Sequence, residues 1–276
     1  MRARLPDIDF RDADGFWLPS WPEFTHRMNG ASLLLPYLEP YLIRVMKLAR
    51  SRLESVAPAL LADVDLFNRQ EANHYKVHAR YNAELRAQYP GLEPFEAEIK
   101  ADFQRFLAEE PLEWNLAYSE GFESVGLIMS EFFLQEIPDA LEDADPAVRE
   151  LWAWHLAEEF EHRSVVHDVL AAVAPGWVRR LQGFRFFGQH LYAFTARVCE
   201  HMTQIDRERG RLRDDDPRVQ ASAKRYARRE SRFYAVRTAQ LLTPWYRPHG
   251  RPLQAPTRRV LESYPQAQSP RVAGGG

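Results

Sequence analysis

Apolar positions along the chain recur at three- and four-residue spacing, and runs that alternate apolar with polar are few. That periodicity predicts helices, with prolines at their boundaries rather than at the short, regular spacing of strands. A first helix is predicted from Ser32 or Tyr37 to Val56, and a second from Leu60 to Gln88, stopped by Pro90-Gly91. A short amphipathic piece follows over Pro94–Ala108. Pro111 opens a third long helix that Pro138 closes; Asp145 caps a fourth, opened by Pro146 and running to Pro175-Gly176. Two more helices, Trp177 to Arg209 and Pro217 to Leu242, precede a Pro-rich tail. Residues 1–30, with three prolines and two tryptophans, read as an irregular N-terminal arm, 31–264 as a single helical domain, and 265–276 as a disordered tail. Four helices of ~25 residues joined by short connections describe an antiparallel bundle. The predicted class is all-α, a four-helix bundle with two additional C-terminal helices and the arm.

Composition narrows the setting without changing that outline. Of 276 residues, 45% are hydrophobic and 27% charged, which excludes a fibrous or wholly disordered chain. Net charge is −3, so no global field draws the protein to nucleic acid. Locally, Arg197 to Arg259 holds 16 basic against 7 acidic residues, and this reads as a solvated face. The single cysteine, Cys199, excludes an intramolecular disulfide and an all-cysteine zinc site. The first residues carry four aspartates and no apolar run, so no signal peptide is read there. Phe184–Cys199, the most apolar late stretch, is interrupted by charge and shorter than the ~20 residues a bilayer span needs. A cytoplasmic protein without a membrane span is expected.

The chemistry lies in where glutamates and histidines fall on the predicted helices. Glu71, His74 and His78 share a face within about 60°, and so do His155, Glu159 and His162. Each of those helices thus offers a Glu-x-x-His pair plus another histidine a turn away. The pattern alone is weak, because 24 Glu and 9 His give about one such pair by chance. A third pair, Glu23/His26, is set aside because it sits in the arm. Context adds weight. Glu39 is surrounded on its own face by Leu35, Leu42, Ile43 and Met46, where a bare carboxylate costs several kcal/mol unless protonated, paired or metal-bound. The third long helix carries Glu120 and Glu123 beside Leu116 and Leu127. The order Glu, Glu-x-x-His, Glu, Glu-x-x-His is the inventory of ferritin-like dinuclear carboxylate proteins. Four carboxylates neutralise two divalent ions, and an oxygen and nitrogen donor set without thiolate suits iron, with manganese or zinc as alternatives.

Two runs carry a resemblance to a known family. Glu71-x-x-His74-x-x-x-His78-x-x-x-Asn82 and Glu158-Glu159-x-Glu161-His162-x-x-x-x-His167-Asp168-Val169 resemble the second- and fourth-helix motifs of the ferritin-like "predicted metal-dependent hydrolase" family of bacteria. Pro36-Tyr37-Leu38-Glu39 and Tyr246-Arg247-Pro248-His249 fit more loosely. The resemblance implies a metal set of Glu39, Glu71, His74, Glu123, Glu159 and His162, and it favours Glu123 over Glu120. The chain departs from the family at Ser124, where a histidine is usual, and at His167, where an aromatic is usual.

Glu71, Glu159, His78 and His155 are the candidate catalytic residues, the two histidines serving either as hydrogen-bond partners of the ligands or as extra ligands. By analogy of site and fold, the expected activity is O2-dependent oxidation or oxygenation of a small organic substrate at a di-iron centre, with an electron donor. The alternative is a metal-dependent hydrolase using a metal-bound hydroxide. Iron storage would need a shell-forming assembly, and a scaffolding role would need no metal. An apolar stripe on the fifth predicted helix, Trp177, Leu181, Phe184, Phe187, Leu191, Phe194 and Val198, reads first as packing. Read otherwise, it walls a pocket for an apolar or aromatic substrate whose carboxylate pairs with Arg185, Arg197 or Arg232.

Overall fold

Proline reads differently in the folded chain than in the sequence pattern. In the computed structural model, which describes residues 1–213 and 217–264, helix α1 runs unbroken over Pro22–Val56. Pro22 occupies its first turn, where a missing N–H costs nothing, so the irregular arm ends at Trp21 rather than residue 30. Pro36 and Pro40 lie inside the helix. Pro36 cannot donate to the carbonyl of Ser32, and Asn82 Nδ2 from the next helix donates to that oxygen at 2.8 Å instead.

Helix α2 spans Leu61–Gln88, and the chain turns at Gly91, whose φ of 90° suits glycine. Then follow α3 (Glu93–Glu109) and α4 (Leu112–Glu131), the latter continuing as a π-helical turn over Phe132–Glu136. The fourth predicted helix is two: α5 (Pro146–His162) and α6 (Val165–Val173). Asp145 caps α5, its carboxylate accepting from Ala147 N and Val148 N. At the break, the Arg163 guanidinium turns back to donate to Phe160 O at 2.7 Å and reaches Pro248 O and Arg251 O. Long helices α7 (Trp177–Glu208) and α8 (Pro217–Leu241) match the pattern, whereas α9 (Ala255–Ser263) lies in the stretch read as tail. The expected disordered segment 265–276 lies outside the described residues.

The fold is all-α, and the described residues contain no strand. Helix α1 packs on α2 and α7, and α4 on α5, α6 and α7. Helices α4 and α7 touch backbone to backbone at Gly183, where a Cβ would fall 2.0 Å from Ala117 O. The basic region is matched by acidic side chains elsewhere: Arg225 and Arg229 pair with Asp139, and Arg237 with Glu131. Arg197 pairs with Glu98 on the surface, Arg185 and Arg232 line shallow outer clefts, and none of the three reaches the interior cavity described below. No helix among the described residues is long and apolar enough to cross a membrane.

Candidate metal centre

Helices α1, α2, α4 and α5 each turn a carboxylate toward one buried point. Glu39, Glu71, Glu123 and Glu159 are 0–2% exposed, and His74, His155 and His162 are as deeply placed. Two groups have ligand atoms within 4.8 Å of one another: Glu39, His74 and His155, and Glu71, Glu159 and His162. Glu123 joins the second, its Oε2 3.3 Å from His162 Nε2. Glu71 Oε1 lies 3.6 Å from His74 Nδ1 and 3.4 Å from His162 Nε2. Glu159 similarly spans His155 at 3.2 Å and His162 at 3.4 Å. These two carboxylates therefore sit between the groups. The structure brings all six expected metal residues together and leaves Glu120 aside, bonded to His167 Nδ1 at 3.1 Å and to Ser124 Oγ.

The hydrogen bonds behind the histidines fix which nitrogen faces inward. Glu158 Oε2 accepts from His74 Nε2 at 3.0 Å, so Nδ1 is the nitrogen turned toward the centre. Gln70 spends its amide hydrogens on Arg2 O and Glu161, so its Oε1 accepts from His162 Nδ1 and leaves Nε2 bare. A longer chain orients His155. Asn82 Nδ2 donates to Ser32 O, so Asn82 Oδ1 accepts from Ser32 Oγ at 2.6 Å. Ser32 Oγ must then accept from His78 Nδ1 (2.8 Å), and His78 Nε2 accepts from His155 Nδ1 (3.1 Å). His155 Nε2 is thereby bare and faces Glu159 Oε1. His78 stands one step behind the centre, and ring edges of Trp154, Trp152 and Phe67 fix His74, His78 and His162.

Both oxygens of Glu39, Glu71, Glu123 and Glu159, with His74 Nδ1 and His162 Nε2, are buried without a hydrogen-bond partner. Ten such atoms facing one another are untenable as a dry polar network, since each costs about 1–3 kcal/mol unpaired. Protons or cations must lie between them. Burial pushes the Glu39 carboxyl well above the carboxylate range, reinforced by Glu71 and Glu159, and raises Glu71 as well. Burial also pushes Glu123 up to about 8. Glu159 goes the other way: burial opposes ionisation, but His162 and His155 hold its carboxyl below the usual range. Burial lowers His155 to about 4, while Glu158 and Glu71 overcome burial to raise His74 to about 9. A donor set of carboxylate oxygens and bare imidazole nitrogens fits two divalent cations.

Space for the carboxylates is made by Gly126 on α4, where a Cβ would lie 2.5 Å from Glu159 Oε2. The remaining Glu-x-x-His pair is helical, not part of an irregular arm; it holds no such site, because His26 is spent on a buried bond to Asp206 (2.8 Å). Among the neighbouring aromatics, Trp152 and Trp154 pack on the histidines, Tyr81 donates to Asn29, and Tyr75 is half-buried. The sequence pattern missed Glu158 and Gln70 as supports, although each neighbours a ligand in sequence, and it gave no signal for Arg4. The Arg4 guanidinium, from the arm, donates to Glu158 Oε1 at 3.0 Å and to Leu261 O on α9.

A family described as "Predicted metal-dependent hydrolase" matches residues 2–254. No curated protein and no solved structure matches the chain.

Proposed function

Since the chain belongs to the family of predicted metal-dependent hydrolases, we propose that it is a dinuclear metal enzyme and that hydrolysis is its reaction. The observation that carries this reading is the convergence of ten unpartnered buried donor atoms on one point. Glu39, His74 and His155 would hold one ion and Glu123 and His162 the other, with Glu71 and Glu159 between them. Two divalent ions bound there would supply the Lewis acidity that hydrolysis at neutral pH requires. The chain's own part is to orient and to exclude water. Glu158, Gln70 and His78 fix the imidazole edges, and Leu35, Phe122 and Leu156 keep the approach dry.

The expected result is about two metal ions per chain on protein purified without chelators, with loss of hydrolysis in Glu71→Gln and Glu159→Gln. Absence of metal, before and after reconstitution, would overturn the proposal.

A second reading, O2-dependent oxidation at a di-iron pair, is favoured by one observation. The cavity of about 30 Å3 that touches His155 is otherwise lined by apolar side chains and Gly126, a wall suited to a small apolar gas. Anaerobic Fe(II) loading followed by O2 separates the two: oxygen uptake and new visible absorption support oxidation, and their absence with retained hydrolysis supports the first reading.

A further inference from the structure

The small cavity beside His155 has a larger neighbour. A cleft of about 390 Å3 opens between α1, α4, α7 and α8. It shares four wall residues, Ala31, Val125, Met129 and Leu191, with the inner cavity. All four are half-buried. These four side chains stand between outer cleft and inner cavity, the throat of any path between them, and Met129 is its one unbranched, adaptable side chain.

Polarity is distributed unevenly along this path. The outer cleft carries Arg27 and Glu230, paired at 2.7 and 2.8 Å, with Thr195, Ser231 and Tyr234. Inward of the throat the wall is apolar up to the His155 ring. A phosphate or carboxylate on that path would shed its water against walls that offer it no donor. The walls of α7 that read as core packing, Phe187 and Leu191, are also walls of the inner cavity.

We propose that the substrate is a slender molecule, uncharged and apolar at its reacting end, which enters through the Ala31–Val125–Met129–Leu191 throat and leaves any polar end beside Arg27 and Glu230. Under the hydrolytic reading, on which the word substrate rests, this selects neutral acyl derivatives such as esters or amides over phosphoesters and charged peptides.

Gly188 supplies the test, because it lines the outer cleft and no atom lies within 4 Å of where its Cβ would be. Gly188→Phe therefore fills the cleft without displacing the fold, and Gly188→Leu is the milder companion. Calorimetric titration with 1-octanol and with octanedioate, which is charged at both ends, alongside metal content, is the experiment. The alcohol should bind wild-type protein at least tenfold more tightly than octanedioate and at least tenfold more tightly than it binds Gly188→Phe, with metal content unchanged. Alkanol binding that is absent, indifferent to both Gly188 variants, or no tighter than octanedioate overturns the proposal. Loss of the metal reading shows separately, as absent metal with alkanol binding intact.

Discussion

His74 keeps its orientation through Glu158, and Glu158 through Arg4, which is only 5% exposed. Removing the carboxylate charge in Glu158→Gln should lower metal affinity about 10-fold while every ligand stays present, read by competition with a chromophoric chelator. Arg4→Ala leaves Glu158 buried without its cation and should cost about 3 kcal/mol in denaturant unfolding. Proton linkage gives a third expectation. Glu123 (about 8) and His74 (about 9) have folded values above their ordinary ones, so their contribution to stability is complete at low pH and disappears as pH rises through those values. Glu159 and His155 are shifted downward, and their contributions are constant above pH 7. Metal-free protein should therefore melt at lower temperature at pH 9 than at pH 7, while the gain on adding metal grows. A metal-free melting temperature flat across that window would contradict the assignment. At this scale the candidate donors could be placed on shared faces, because Glu71/His74 and Glu159/His162 are set by helical spacing alone. Their supports were not: Glu158 bonds across to α2, and Arg4 is 154 residues from it in sequence.

Helix α1 shows why element boundaries were harder. Its predicted start was Ser32 or Tyr37, yet the helix begins at Pro22 and continues through Pro36, where a neighbouring side chain replaces the missing donor. Asn82→Leu removes that donor and leaves Ser32 O unpaired, which should destabilise by about 1–3 kcal/mol and free His155 to turn. Helix α4 approaches α5 closely at Gly126, and Gly126→Ala should expel the Glu159 carboxylate. The expected outcome is fewer bound metal ions per chain with unchanged helical circular dichroism. The break between α5 and α6 left no proline or glycine to read, since it rests on Arg163 bonding to carbonyls of the distant 248–251 segment.

For the molecule as a whole, a metal pair held at this centre would bind only the folded arrangement, because its donors come from four helices. Saturating metal should raise the melting temperature by about 5–15 °C over the chelated form, the linkage expected at 100- to 1,000-fold excess over the dissociation constant. The helical class and its four-helix ligand order could be read from spacing. The outer cleft could not, since it forms where α1, α4, α7 and α8 meet and none of them announces it alone.

The bond from Arg4 to Leu261 joins the arm to the ninth helix directly behind His74. During synthesis the donors are all made by residue 162, but this brace cannot close until nearly a hundred further residues have left the ribosome. A metal ion captured before then would meet an imidazole whose backing is incomplete, so the order of translation itself would delay firm loading until the ninth helix has been made.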